Sequence, residues 1–154
     1  MTSDTSSPGS AAQAQRLAER VVARMIENDE FSRWLGLEVT HVAPNEATVR
    51  MTVRPEMVNG FGVCHGGIAF SLADSALAFA SNTHGRVTMS IENSIRYPAS
   101  IMPGDVLTAR AVEESSTRRL AFFNATVTKE NGDVVGLFRG TVYRTSRDHF
   151  PDDR

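Results

Sequence analysis

One carboxylate, Asp74, interrupts a run of small and apolar residues from Ile68 to Ala80, and Gly67, the second of a glycine pair, stands seven residues before it. If that run is helical from about His65, the N–H groups of Gly66, Gly67 and Ile68 have no intrahelical partner. The macrodipole adds positive potential at the same end. Glycine at 66 and 67 leaves no side chain in the way, so an anion or a developing oxyanion can sit on those amides. Seven residues are about two turns, which puts Asp74 on nearly the same face, about 10 Å along the axis, with its side chain leaning back toward the helix start. A carbonyl whose oxygen meets the amides could then meet the carboxylate, or a water held by it, at carbon.

The same residues also carry plainer readings. A Gly-Gly pair before a helix also makes a tight turn, and Asp74 beside Ser71 and Ser75 also fits a solvated stripe. His65 also fits a turn or helix-start histidine. Cys64 reads as a small packed residue, because no partner base is identifiable for it. His41, His84 and His149 show no metal-ligand spacing and read as surface or loop histidines, so neither a metal nor another cofactor is expected.

The elements that must position these groups follow from periodicity. Residues 1–10 are mostly Ser, Thr, Pro and Gly with little to bury and read as a disordered tail. Leu17, Val21 and Met25 recur at helical spacing in an amphipathic helix from Ala11 to about Asn28. Asp29 to Leu35 reads as a short helical turn ended by Gly36. Period-two alternation predicts strands over Leu37–Val42, Ala47–Arg54, Val87–Arg96, Val106–Glu114, Arg119–Lys129 and Val134–Tyr143. In the third of these, Val87, Met89, Ile91 and Ile95 alternate with Thr88, Ser90, Glu92 and Arg96. Asn131-Gly132 between the last two predicts a type I′ hairpin, and the last four strands are expected to form an antiparallel meander. The sum is an α+β chain in which a single helix of about 18 residues lies along one curved antiparallel sheet of about six strands, with an extra N-terminal helix. Residues 11–145 form one domain and 146–154 a C-terminal tail.

Composition narrows the class. The 154 residues fit one domain, and a net charge of −2 without a basic run speaks against a nucleic-acid partner. A single cysteine makes no internal disulfide, the N-terminus lacks a secretory h-region, and no apolar run approaches membrane-spanning length. A soluble, cytoplasmic protein with no membrane partner is expected.

The run NGFGVCHGGIAFSLADSALAFASN resembles the signature of the PaaI-type thioesterases of the hotdog fold, the phenylacetate-degradation group. The similarity continues in order through ENDEFSRWLGLEV, Ser94-Ile95-Arg96-Tyr97-Pro98, Pro103-Gly104-Asp105-Val106-Leu107-Thr108-Ala109 and Val135-Gly136-Leu137-Phe138-Arg139-Gly140, covering roughly residues 26–144. Asn59, His65, Gly66, Gly67 and Asp74 together are more specific than any of them singly. The resemblance implies a sheet wrapped around the central helix, homodimers pairing sheets edge to edge and assembling to homotetramers, and hydrolysis of an acyl-CoA thioester between two subunits. It implies Asp74 as general base or nucleophile and the Gly66 N–H as principal oxyanion donor. Asn59 would help position the water or thioester, and His65 would shape the carbonyl site. Gly67 and the cations Arg118, Arg119, Lys129 and Arg139 are candidates for holding the substrate or its CoA phosphates, although each cation also fits a solvated strand face. The loop ASIMPGD departs from the family form by looking two residues longer, and it borders the expected acyl or CoA entrance.

The expected activity is therefore acyl-CoA thioester hydrolysis, with phenylacetyl-CoA or hydroxyphenylacetyl-CoA as the leading substrates in phenylacetate catabolism. The alternatives are a thioesterase for medium-chain or other acyl-CoAs, a non-catalytic acyl-CoA-binding module and an enoyl-CoA hydratase.

Overall fold

The seventeen residues Gly66–Asn82 form the central helix, α3. It is apolar on nearly every side, with Ala69, Leu72, Ala76, Leu77, Phe79 and Ala80 all buried, and such a helix must be the core of its domain. A computed structural model of the protein describes residues 8–153. Around α3 it places two N-terminal helices, α1 (Pro8–Glu27) and α2 (Glu30–Leu35), and six strands. The strands are β1 (Glu38–Ala43), β2 (Glu46–Thr52), β3 (Arg86–Arg96), β4 (Val106–Ser116), β5 (Leu120–Lys129) and β6 (Val134–Asp148). They form one antiparallel sheet in the order β1-β2-β4-β5-β6-β3.

One face of the sheet wraps the helix. Ala47, Val49 and Met51 of β2 and Ala121, Phe123, Ala125 and Val127 of β5 are buried at alternate positions, as the pleat requires. β6 comes close to the helix at Gly140, where an added Cβ would collide with Leu77 and stand 2.6 Å from Asn93 Oδ1. No helix among the described residues is long and apolar enough to cross a membrane.

Several expectations need correction. The meander is β4-β5-β6 only, because β3 lies beyond β6 at the sheet edge while β4 pairs with β2. The chain reaches β4 from β3 across the start of α3, where Cys64 N–H donates to Ile101 O at 2.8 Å. Nor does β3 bury its alternating apolar set: Met89 is 55% and Ile91 58% exposed while Thr88 is buried. Met89 pairs with Tyr143 of β6, which is exposed too, and a bulge between Ser90 and Glu92 shifts the register of β3. The Asn131-Gly132 hairpin forms, but as a three-residue turn rather than type I′. Gly132 has φ 90° and Asn131 no positive φ, with Gly132 N–H on Lys129 O at 3.0 Å. Asn131 Oδ1 accepts from Asp133 N–H at 3.0 Å, so the side chain satisfies locally what a two-residue turn would leave to the strands.

The expected boundaries change at both ends, where residues 8–10 belong to α1 and 146–148 to β6. Residues 1–7 lie outside the described residues, whereas Pro8–Ser10 are the first turn of α1, a position proline suits because its missing N–H has no partner there anyway. At the other end β6 continues to Asp148 and residues 151–153 form a 3-10 turn. The segment is held by real contacts. Thr145 Oγ1 donates to Val87 O at 2.7 Å, His149 N–H donates to Gly85 O at 2.8 Å, and Phe150 lies 4.3 Å under the Arg20 guanidinium. His149 is thus no plain surface histidine, since its Nε2 hydrogen-bonds Asn82 Oδ1 at 2.8 Å.

Candidate active site

The loop before α3 is built to present one amide. Asn59 N–H donates to Val63 O at 2.8 Å and Gly62 N–H to Asn59 O at 3.1 Å. Asn59 Oδ1 accepts from Phe61 N–H at 2.9 Å. With its oxygen spent on this turn, Asn59 offers the outside only its Nδ2 donor.

His65 then caps the helix, its Nδ1 accepting from Gly67 N–H at 2.9 Å. The Ile68 N–H turns back onto His65 O at 3.0 Å. Of the three amides the sequence offered, two are therefore satisfied internally, and Gly66 N–H alone has no partner among the described residues. Gly67 is not an open donor for substrate, and His65 acts on the site through the cap it makes.

Tyr97, which sequence reasoning did not single out as a site residue, completes this end. Its hydroxyl donates to Gly66 O at 2.7 Å, and a Cβ added at Gly66 would stand 3.0 Å from its ring. A cleft of about 350 Å³ opens beside Gly66 between Val63, Cys64 and the segment Tyr97–Ile101, so part of the ASIMPGD loop borders the open amide. Cys64 is buried there, with its thiol pushed up to about 11 by burial and by the Asp105 charge, and a neutral thiol is a poor nucleophile.

Asp74 faces β3 instead. Asn93 Nδ2 donates to its Oδ1 at 2.8 Å and Ser90 Oγ approaches the same oxygen at 3.5 Å, while Oδ2 has no partner among the described residues. Burial raises its pKa above the ordinary carboxylate value, against the opposing pull of the Asn93 and Ser90 hydrogen bonds. The β3 bulge makes this possible. Ser90 pairs with Val142 and Asn93 with Gly140, so four residues on β3 match three on β6 and both polar side chains point toward the helix. Strict alternation would have sent one of them outward, which is why no sequence pattern revealed the pair.

Within one chain the two halves stay apart. Asp74 is not among the residues lining the Gly66 cleft, and eight residues of helix separate them, about 12 Å of rise. The four candidate cations disperse as well. Lys129 is 18% exposed and ion-paired to Asp105 at 2.8 Å, so its charge is already neutralised. Arg139 is exposed on the side of the sheet away from α3, as its buried neighbours Phe138 and Gly140 point inward. Arg118 and Arg119 lie in the β4–β5 turn, at the end of the sheet near the C-terminus of α3. Among the described residues no group of His, Cys, Asp and Glu is arranged to hold a metal.

A long central helix wrapped by one antiparallel sheet is the hotdog fold, and residues 61–136 match the thioesterase superfamily. The chain belongs to that superfamily. The acyl-coenzyme A thioesterase PaaI of Escherichia coli is 34% identical over 120 residues, 78% of this chain and 86% of that one. Its solved structure matches with a TM-score of 0.86 at 31% identity, over 88% of this chain and 98% of that one. A mutant structure of the phenylacetic acid degradation protein PaaI from Thermus thermophilus matches at 42% identity and a TM-score of 0.73, over 76% and 100% of the two chains. Human acyl-coenzyme A thioesterase 13 is 30% identical over 129 residues, 80% of this chain and 91% of the relative.

Proposed function

We propose that the protein hydrolyses acyl-CoA thioesters, with arylacetyl-CoA such as phenylacetyl- or hydroxyphenylacetyl-CoA as the leading class, in the cytoplasm and without a cofactor. The observation that carries this is the pairing of one unsatisfied helix-start amide, Gly66, with a carboxylate, Asp74, whose Oδ2 is free and whose pKa is raised by burial. The E. coli relative from the phenylacetic acid degradation operon supports the acyl class.

The thioester oxygen accepts from Gly66 N–H, and Asn59 Nδ2 donates to that oxygen or to the water. Asp74 takes a proton from the water as its oxygen adds to the carbonyl carbon. Collapse of the tetrahedral intermediate breaks the C–S bond, and the proton passes to the departing sulfur. In the variant form Asp74 attacks carbon itself, and water then hydrolyses the anhydride. Single-turnover oxygen-18 labelling separates the two, because an anhydride opened by water at the Asp74 carbonyl leaves solvent oxygen in the protein and gives the first acid a protein oxygen.

Because Gly66 and Asp74 do not share a cavity in one chain, the working site is assigned to a homodimer in which β3 pairs with β3 of a second copy, two dimers forming a tetramer. β3 is a free edge with exposed Met89 and Ile91, the kind of edge that pairs with another chain. The test is thiol release from a panel of aromatic and aliphatic acyl-CoAs. Asp74→Ala is expected to lower kcat by about 10² to 10⁴, the range of general acid–base catalysis, with thermal unfolding unchanged in cooperativity. Near wild-type kcat/KM in that variant refutes the assignment, and wild-type binding of acyl-CoA without thiol release points to a binding module instead.

A further inference from the structure

We infer that the cleft formed by His84, Arg86, Arg118 and Arg144 with Glu113 and Asp148 seats the phosphates of the CoA nucleotide, serving the active site that uses the partner subunit's Gly66. This rests on the thioesterase reading and on the β3 pairing above. The cleft has a volume of about 470 Å³ and draws its three arginines from three elements. Arg86 opens β3, Arg118 stands in the β4–β5 turn and Arg144 lies on β6.

The arginines divide into a fixed one and two open ones. Arg144 is 17% exposed, ion-paired to Glu113 Oε2 at 3.0 Å, and its Nη1 donates to Thr117 O at 2.9 Å. Glu113 Oε1 is taken by Ser116 Oγ at 2.9 Å, so that carboxylate is consumed in holding the cleft wall. Arg144 Nε is buried with no hydrogen-bond partner, a donor whose desolvation a ligand oxygen would offset. The guanidinium groups of Arg86 and Arg118 have no hydrogen bond or ion pair among the described residues. Two open planar forks beside the ion-paired Arg144–Glu113 wall suit phosphate oxygens, which arginine can meet bidentately. Of the other expected cations, Lys129 is spent on Asp105, and Arg139 stands away from Arg86 and Arg118, beside Glu92 and Ser94.

Reach decides which active site the cleft serves. It lies beyond the C-terminus of α3 while Gly66 is at the N-terminus, and 17 residues of helix rise about 25 Å. β3 runs between the same two ends, from Arg86 in the cleft to Arg96 beside Tyr97, the cover of Gly66. Antiparallel pairing of two β3 strands about a two-fold at their midpoint, Ile91, sets Arg86 opposite the partner's Arg96. The cleft then stands next to the partner subunit's Gly66. Asp74, held from mid-strand by Ser90 and Asn93, lies between them, where the pantetheine arm would pass.

The test combines binding and kinetics on the full-length protein. Adenosine 3′,5′-bisphosphate, titrated calorimetrically, is expected to bind the wild type and to lose about tenfold or more in affinity in Arg86→Ala/Arg118→Ala, the loss of at least one charge-assisted contact. Inorganic phosphate is expected to bind far more weakly than the nucleotide. In turnover, the double variant is expected to lose about tenfold more kcat/KM on acyl-CoA than on the matching acyl-pantetheine thioester, which lacks the nucleotide. Arg118→Glu, which reverses a charge at an exposed turn, is expected to raise KM for acyl-CoA further, and matching unfolding curves confirm that both variants fold. Equal nucleotide affinity in wild type and double variant, absence of nucleotide binding to the wild type, or equal kinetic losses on the two thioesters overturns the proposal. A wild type that hydrolyses neither thioester overturns the thioesterase reading, and the nucleotide titration still decides what the cleft binds.

Discussion

Removing the Asn93 amide should move the acid limb of the pH profile, and the structure gives both sign and size. Asn93 Nδ2 sits 2.8 Å from Asp74 Oδ1 and favours the ionised carboxylate, while burial disfavours it and prevails. A hydrogen bond to a charged group is worth about 1.5 to 3 kcal/mol, and one pKa unit corresponds to 1.36 kcal/mol. Asp74 is partly solvated, so water replaces some of what is lost, and the lower end of the range applies. Asn93→Ala is therefore expected to raise the Asp74 pKa by about one unit. If Asp74 must be ionised to act, the acid limb of kcat/KM shifts up by the same amount. At a pH well above the limb the loss is small, and on the limb it approaches about tenfold. Ser90→Ala, whose contact is 3.5 Å, should shift the limb by only a few tenths of a unit. The assay is thiol release across pH with the wild type and both variants. An acid limb unmoved in Asn93→Ala, with plateau activity retained, refutes the idea that Asp74 is the titrating group.

Gly66→Ala and Gly67→Ala should separate chemistry from capping. The methyl at 66 stands 3.0 Å from the Tyr97 ring, crowding the open amide, and is expected to cost 10² to 10³ in kcat, as for a lost oxyanion donor. The methyl at 67 stands 2.9 Å from His65 Nδ1 and is expected to cost about 1 kcal/mol of stability in denaturant titration, the value of an N-cap, with a smaller effect on kcat. Ile91→Glu places a charge on the exposed edge of β3 opposite itself in a two-fold pair. It is expected to lower the molecular mass measured by light scattering and, with it, activity; an unchanged mass with full activity refutes pairing through β3.

The architecture was largely legible because its signals are local. Alternation along β2 and β5, the nearly all-apolar α3, and the break at Asn131-Gly132 each follow from one stretch of chain, and together they gave the α+β frame. The helix start and Asp74 were legible for the same reason, since two positions on one helix are fixed by their spacing. The sequence could not say that His65 takes the Gly67 amide and leaves Gly66 alone, because that depends on how the preceding turn orients one imidazole. Nor could it place β3 beside β6 rather than β4, since strand order is set by which end of α3 the chain crosses on its return. The partners of Asp74 were hidden for a related reason. Ser90 and Asn93 share a face only because a bulge breaks period two, and a bulge is decided by pairing across strands. Spacing along the chain thus determined which groups could do chemistry, and tertiary packing decided which of them remain free to do it.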